Sequence, residues 1–161
     1  MSKLALIEQK IYTLEHLIRI RNQWKKFDKT CVFTNGCFDI LHRGHISYLL
    51  QAADMGDKLI IGINTDESVK RLKGATRPMQ DQYTRALNLA AHTYVDAVVL
   101  FEEDTPLNLI QALKPDLLVK GGDYNIDTIV GANEVVEQGG KVVIIPTLEG
   151  YSTSNIIERM K

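Results

Sequence analysis

The chain has 161 residues, of which 45% are hydrophobic and 24% are charged, which is typical of one soluble globular domain. Its net charge of -1 provides no overall field for nucleic acid or an anionic membrane, so neither is an expected partner. No signal peptide and no apolar stretch of the roughly 18 residues that span a bilayer are present, and we therefore expect a cytoplasmic protein.

The segment 1–27 carries apolar side chains at spacings of three and four, which predicts an amphipathic helix, or two short ones, ahead of a main domain over 28–161. The apolar positions are Leu4, Ile7, Ile11, Leu14, Leu17 and Ile18. Their stripe must cover either the sheet of the same domain or a partner subunit. With the small size of the chain, this makes a homodimer the expected assembly.

The rest of the chain alternates between strand and helix about five times. Apolar runs predict buried strands at 31–35, 58–64, 95–101, 117–119 and 141–145. Helical spacing predicts helices over about 45–55, 83–91, 107–113, 130–138 and 154–160. The polar, basic residues 65–79 are interpreted as a loop. Because the strands are near-continuous apolar runs, we predict an α/β fold, a Rossmann-like doubly wound parallel sheet of about five strands with helices on both faces.

Ligands bind such a sheet at the carboxyl ends of its strands, and two histidines follow the first predicted strand. His42 and His45 flank Gly44 at the start of a helix, where backbone N–H groups and the helix dipole favour a phosphate and the glycine lets the backbone approach closely. Imidazoles three residues apart share one face of a helical turn, so both can donate hydrogen bonds to a phosphate that gains charge in a transition state. A zinc site would need a third ligand, for which only Asp39 is near, and no metal-ligating residues are predicted.

The sequence lacks the Gly-x-x-x-x-Gly-Lys-Ser/Thr and Gly-x-Gly-x-x-Gly phosphate loops, which argues against a P-loop kinase and a dinucleotide-dependent dehydrogenase. A cluster of cations follows the second predicted strand instead. Its members are Lys70, Arg71, Lys73 and Arg77. Lysine and arginine suit polyphosphate and a sugar phosphate, and Arg85 in the next helix is a further candidate. The alternative interpretation is a solvated basic loop.

Two later segments are also candidate contacts for a nucleotide. Gly121 and Gly122 follow a predicted strand and could let a base lie on the backbone, while Asp123 could accept a hydrogen bond from a sugar hydroxyl. An ordinary tight turn is the alternative there. Three hydroxyl groups precede the last helix, on Ser152, Thr153 and Ser154. They could hold β- and γ-phosphate oxygens, or one of them could cap the helix.

In combination, these motifs resemble the nucleotidyltransferase superfamily that carries the His-x-Gly-His signature. The motifs lie at 33–42, 70–74, 101–106, 115–124 and 152–154. Within the superfamily they are most similar to the bacterial D-glycero-β-D-manno-heptose 1-phosphate adenylyltransferases, over roughly 28–161. The chain departs from that family at Ser154, where a threonine is usual, and 146–149 lack the arginine that related cytidylyltransferases carry. In the family this domain is often fused behind a sugar kinase, and the chain looks like the stand-alone form.

The resemblance implies transfer of AMP from ATP to heptose 1-phosphate, with release of pyrophosphate and formation of ADP-heptose for lipopolysaccharide core or a related surface glycan. Mg²⁺ would bridge the phosphates of ATP. The implied catalytic residues are His42, His45 and Lys73. The implied nucleotide contacts are Cys37, Phe38, Gly44, Asn64, Gly121, Asp123, Ser152, Thr153 and Ser154. The implied sugar-phosphate contacts are Asp39, Lys70, Arg77 and Arg85.

Three other functions fit part of the pattern. A cytidylyltransferase for glycerol 3-phosphate or a similar alcohol phosphate would keep the fold and the histidines, and comparing turnover with CTP and ATP separates it. A nucleotide-binding regulatory subunit without catalysis would not need the histidine pair. A fragment of a class I aminoacyl-tRNA synthetase shares the His-x-Gly-His signature, but the chain is too short for a tRNA-binding domain and lacks a lysine-rich loop near its C-terminus.

Overall fold

In the computed structural model, which describes residues 1–160, six strands form one sheet whose neighbouring strands all run parallel. The strands are β1 (Ile11–Tyr12), β2 (Cys31–Gly36), β3 (Lys58–Asn64), β4 (Ala97–Phe101), β5 (Leu117–Gly121) and β6 (Lys141–Ile145). The α-helices are α1 (Lys3–Glu8), α2 (Leu14–Lys26), α3 (Arg43–Ala53), α4 (Asp66–Lys73), α5 (Gln82–Ala90), α6 (Leu107–Leu113), α7 (Ala132–Glu137) and α8 (Thr153–Arg159). A short 3₁₀ helix covers Ile126–Thr128. The predicted doubly wound α/β fold is confirmed, with one more strand than expected.

The sheet separates two hydrophobic cores, one on each face. Side chains of α3 and α5 pack on one face, and side chains of α2, α6 and α7 pack on the other. Val32 belongs to the first core and the next residue, Phe33, belongs to the second, and neither side chain is exposed to solvent. Because both faces are covered, alternate residues of a strand are equally buried, which explains the near-continuous apolar runs in the sequence.

The strand order places a crevice at the carboxyl ends of two central strands. Across the sheet the order is β1-β4-β3-β2-β5-β6, so the chain moves outward from β2 through β3 to β4 and then returns to the other side of β2 with β5. The order therefore reverses between β2 and β5. In sheets of this type, ligands bind outside the carboxyl ends of the two strands that flank the reversal. These ends are Gly36 of β2 and Gly121 of β5.

The N-terminal segment contributes a strand that the sequence pattern did not predict. Ile11 and Tyr12 form β1, which pairs with Val98 and Val99 of β4. The side chain of Leu17 in α2 is fully buried in the second core, so the apolar stripe of this segment largely covers its own sheet.

The basic segment 65–79 is half helical, which corrects the expectation of a loop. Thr65 caps α4 by accepting a hydrogen bond from the N–H of Ser68, and Gly74 ends the helix with a φ of 100°. Acidic residues in the first turn and basic residues in the last turn complement the helix dipole. The charged side chains that suggested a loop lie on the solvent side, while Ser68 and Val69 are buried.

No helix in residues 1–160 has the length and apolar character needed to cross a membrane.

Candidate active site

Two adjoining cavities open at the crevice between β2 and β5. The histidine cavity, defined by His42 and His45, has a volume of about 320 Å³, and the basic cavity, defined by Lys73 and Arg77, has a volume of about 480 Å³. The two cavities share part of their lining, namely Asn35, Gly36, Cys37, Phe38, His45, Lys120, Tyr124 and Thr153. Each cavity is within the size range of small-molecule sites. The arrangement can therefore hold two ligands in contact with each other.

His42 is fixed by the helix that follows it. As the N-cap of α3, its Nδ1 accepts hydrogen bonds from the N–H groups of Gly44 and His45, at 3.1 and 3.4 Å. Because Nδ1 accepts, the proton of the neutral ring belongs on Nε2. The imidazole of His45 is stacked on that of His42 with 3.8 Å between centroids, and it meets the ring of Phe38 edge to face with 5.3 Å between centroids.

Both imidazoles are neutral at physiological pH. Burial lowers the pKa of His42. Burial also lowers the pKa of His45 to about 4, the adjacent His42 adds to this shift, and the carbonyl of Ile40 opposes it. Nδ1 of His45 is buried and has no hydrogen-bond partner among residues 1–160. The pair therefore offers neutral N–H donors to an anion rather than two positive charges.

Gly44 allows side chains to pack closely in the wall of the histidine cavity. A Cβ at this position would lie 3.0 Å from the His42 ring and 3.1 Å from Cβ of Tyr151. Tyr151 in turn lies beneath the guanidinium of Arg43, whose Cζ is 5.8 Å from the ring centre and whose Nη1 is 3.4 Å from the hydroxyl. The glycine of the motif thus makes room for two aromatic side chains as well as for a ligand.

Asp39 lines the basic cavity, and its carboxylate is engaged with protein donors. Its carboxylate accepts hydrogen bonds from Nε of Arg77 at 2.7 Å and from the N–H groups of Met79 and Gln80 at 2.8 and 2.9 Å. Burial favours a higher pKa for Asp39, but the N–H groups of Gln80 and Met79 and the guanidinium of Arg77 together hold the pKa below its ordinary value. Asp39 therefore orients Arg77, which lines the cavity together with Lys73.

Three of the predicted contacts lie away from both cavities. Arg85 is fully buried and donates hydrogen bonds to the carbonyls of Cys37 and Gln80 and to a carboxylate oxygen of Asp66. Lys70 pairs with Glu67 on the exposed surface of α4. Asp123 is exposed and lines neither cavity. Arg85 thus holds the backbone beneath the site, and its guanidinium has no free path to a substrate.

The hydroxyls of 152–154 are divided between the two cavities. Ser152 lines the histidine cavity, Ser154 lines the basic cavity, and Thr153 lines both. Oγ of Ser152 also accepts a hydrogen bond from the N–H of Asn155, so it caps α8 as the alternative interpretation proposed. Asn64, expected beside the nucleotide, lines the basic cavity.

The remaining expected nucleotide contacts lie at the site. Gly121 lines the histidine cavity, and Cys37 and Phe38 lie at the junction of the two cavities. Burial raises the pKa of the Cys37 thiol, so the sulfur is protonated and is not a nucleophile.

Several residues of the site were not identified from the sequence. Lys120 and Asn35 lie at the junction of the cavities, where Nζ of the lysine donates a hydrogen bond to Oδ1 of the asparagine. Tyr48 lines the histidine cavity and donates to the carbonyl of Val119 at 3.0 Å. Lys120 could have been found from its place next to the last residue of a strand, because that end of a parallel sheet carries the ligand.

The donor groups present do not make a cage for a metal ion. Within residues 1–160, no group of three or more His, Cys, Asp or Glu side chains is placed to hold one. The nearest carboxylate to the histidines in sequence, Asp39, is already engaged with Arg77 and two backbone N–H groups. A divalent cation at this site would be held by the phosphates of a ligand and by water.

Comparison with known proteins gives a consistent family. The family model described as cytidylyltransferase-like matches residues 33–159. The bifunctional protein HldE of Koribacter versatilis is 51% identical over 152 residues, which cover 94% of this chain and 31% of that protein. HldE of Campylobacter fetus is 52% identical over 160 residues, which cover 99% of this chain and 33% of that protein. The chain thus spans about a third of the length of these relatives.

Two solved structures share the fold. A lipopolysaccharide core biosynthesis protein from Thermoplasma volcanium superposes with a TM-score of 0.61 at 26% identity, covering 77% of this chain and 99% of that one. Pantoate-beta-alanine ligase from Francisella tularensis superposes with a TM-score of 0.64 at 18% identity, covering 91% and 72% of the two chains. The second similarity is one of fold alone.

Proposed function

The chain belongs to the cytidylyltransferase-like family, and from this premise we propose that it is an adenylyltransferase that acts on a sugar phosphate. It transfers AMP from ATP to D-glycero-β-D-manno-heptose 1-phosphate, which gives ADP-heptose and pyrophosphate. The observation that carries this proposal is the stacked pair of neutral imidazoles, His42 and His45, at the edge where two cavities meet. A single-substrate binding protein would need only one of these cavities.

The two cavities differ in chemistry in the way that the two substrates require. ATP occupies the histidine cavity, where its base lies near Gly121 and its α-phosphate reaches His45. The acceptor phosphate occupies the basic cavity, where Lys73 and Arg77 provide positive charge. Lysine and arginine suit the phosphate group of such a sugar. The hydroxyls of 152–154 hold the departing pyrophosphate.

The reaction is a direct displacement. An oxygen of the acceptor phosphate forms a bond to the α-phosphorus of ATP while the bond from that phosphorus to the bridging oxygen of the β-phosphate breaks, and pyrophosphate leaves with the electron pair. No side chain forms a covalent intermediate. Catalysis comes from alignment of the two substrates and from N–H donors that stabilise charge on the α-phosphate. ATP enters as its Mg²⁺ complex, so the cation arrives as part of the substrate.

The choice of acceptor rests on relatives rather than on the cavity. Proteins about half identical to this chain over nearly its whole length carry the name bifunctional protein HldE, and a structural relative is described as a lipopolysaccharide core biosynthesis protein. These names agree with the resemblance to heptose 1-phosphate adenylyltransferases. We infer that the product serves lipopolysaccharide core or a related surface glycan, and that the enzyme works in the cytoplasm, where ATP and sugar phosphates are available.

We further propose that the active assembly is a homodimer. Leu4 and Leu6 of α1 remain 53% and 52% exposed, so apolar surface of the N-terminal segment is left for a second subunit. The segments 1–27 and 28–161 would then act as a dimer-forming part and a nucleotidyltransferase domain. Sedimentation equilibrium of the wild type and of a double variant, Leu4→Ser with Leu6→Ser, tests this. A wild type that sediments as a monomer at micromolar concentration would exclude it.

The first experiment measures pyrophosphate release with ATP and with CTP, each paired with heptose 1-phosphate or with glycerol 3-phosphate. We expect release only with ATP and heptose 1-phosphate. Release with CTP and glycerol 3-phosphate would keep the histidine chemistry but reject the proposed substrates. If no pair gives release from a folded protein, the adenylyltransferase proposal is wrong.

A further inference from the structure

Lys120 is the cation at the junction of the two cavities. It is the fourth residue of β5, and it points to the end of β2, where its Nζ donates a hydrogen bond to Oδ1 of Asn35. Its side chain lines both the histidine cavity and the basic cavity, as does that of His45. Lys73 and Arg77, by contrast, line the basic cavity but not the histidine cavity. Lys120 therefore lies where the two proposed substrates must touch.

The ammonium group of Lys120 has no protein counter-charge. Its one hydrogen-bond partner is the neutral amide of Asn35, and within residues 1–160 no carboxylate forms an ion pair with it. Burial lowers the pKa of Lys120 to about 8, so the group is still mostly protonated at neutral pH. A partly buried cation without a partner is unfavourable by itself. An anion that enters the cavity beside the ammonium group would therefore stabilise it.

The proposed reaction brings two anions together at this point. The α-phosphate of ATP and the phosphate of the acceptor must come within bonding distance, and their mutual repulsion opposes that approach. A positive charge between them reduces the repulsion, and it does so more strongly away from bulk water. The neutral imidazoles of His42 and His45 donate hydrogen bonds but bring no net charge. Lys120 is the lysine that lines both cavities, so it can supply positive charge at the junction in addition to the cation that ATP brings.

We propose that Lys120 is a catalytic residue whose ammonium group contacts both the α-phosphate of the nucleotide and the phosphate of the acceptor in the reacting complex. This inference rests on the proposed adenylyl transfer. The proton stays on the nitrogen throughout, because the phosphate nucleophile needs no base. Lys120 acts by charge and by position, and its hydrogen bond to Asn35 holds it at the junction before the substrates arrive.

The test compares Lys120→Gln, Lys120→Met and Lys120→Arg with the wild type. Glutamine retains an N–H donor but carries no charge, so it separates the loss of the charge from the loss of every hydrogen-bond donor at this position. Lys141→Met, at an exposed position at the start of β6, is the matched control. For each protein, kcat for pyrophosphate release, ATP binding by calorimetry without acceptor, and thermal unfolding are measured.

We expect kcat to fall about 100-fold or more in the Gln and Met variants, by analogy with the loss of one donor to a developing charge. ATP affinity should change far less, because the nucleotide keeps its other contacts. The Arg variant should recover part of kcat, and Lys141→Met should behave as the wild type. If Lys120→Gln is folded and turns over like the wild type, Lys120 is only a link between strands. If the wild type releases no pyrophosphate with any substrate pair, the proposed function fails, and this inference fails with it.

Discussion

The ring of His45 lies on the ring of His42 with a centroid separation of 3.8 Å and an angle of 22° between planes. At this distance two imidazolium charges would repel each other strongly, which agrees with the part that His42 plays, after burial, in lowering the pKa of His45. His42 serves the backbone through Nδ1, whereas Nδ1 of His45 has no partner within residues 1–160. His42 therefore caps helix α3 as well as facing the cavity, whereas His45 has no such structural hydrogen bond through Nδ1.

Replacing His45 by alanine should lower kcat by roughly 100- to 1,000-fold, because one donor to the charge that develops on the α-phosphate is lost. Thermal unfolding should change little. Replacing His42 by alanine should cost both turnover and about 1 kcal/mol of stability through the lost cap of α3. His42→Asn should restore the stability without the turnover, since asparagine is a good cap. A folded His45→Ala protein with near-normal kcat would refute the role assigned to the pair.

Lys73 and Lys70 make a natural comparison, since both lie in α4 but only Lys73 lines the basic cavity. Lys73→Met should raise the KM for the sugar phosphate by about 10- to 100-fold, which corresponds to one lost hydrogen bond to a charged group. Lys70→Met should change KM less than about threefold, because its pair with Glu67 is exposed. Steady-state kinetics at saturating ATP measure both. Equal effects of the two substitutions would mean that the substrate lies elsewhere.

Arg85 should be needed for stability rather than for substrate affinity. Arg85→Met leaves Asp66 and two carbonyl oxygens without their partner, and we expect a loss of about 3 kcal/mol in the free energy of unfolding. The figure is near the lower end for buried pairs because the side chain of Asp66 is 29% exposed. Arg19→Met removes a largely exposed pair with Glu15 and should cost less than about 0.5 kcal/mol. Urea denaturation compares the two.

If the folded Arg85→Met protein keeps its stability but loses affinity for the sugar phosphate, the result would support the sequence-based prediction that Arg85 contacts the acceptor. This outcome would require the guanidinium to leave its buried position when the acceptor binds.

Asp39 should make the protein lose stability in acid. Its pKa is held below the ordinary value in the folded protein, so its contribution is fully present above the unfolded pKa of about 3.9 and is lost as pH falls through the folded pKa. At neutral pH, Asp39→Asn should be less stable than the wild type by about 2 kcal/mol. The difference should shrink as pH falls below about 4. Urea titrations at several pH values measure it, and a difference independent of pH would show that the charge of Asp39 is not what matters.

The sequence predicted the parallel sheet well because a strand buried on both faces has a distinctive apolar run, as in Lys58–Asn64, whose bounds agree with the structure. It was less informative for Arg85, which was assigned to a phosphate because of its charge. The spacing of the helix indicated a buried position for Arg85, because it lies four residues before the buried Leu89 and therefore on the same, inner face of α5. For Lys120 the sequence indicated only a place near the carboxyl end of a strand, and its position between two cavities depends on β2 and β5 being neighbours, which strand order decides.

The two-residue strand β1 protects the far edge of the sheet. Beyond β4 no other strand of residues 1–160 lies on that side, and the N–H of Val98 donates to the carbonyl of Lys10 at 2.8 Å. An uncovered edge of this kind can pair with the same edge of another molecule. A protein without residues 1–12 should therefore form aggregates through β4 while its active-site crevice, which lies between β2 and β5, keeps its shape. Residues 1–12 thus contribute to solubility although they lie away from the active-site crevice.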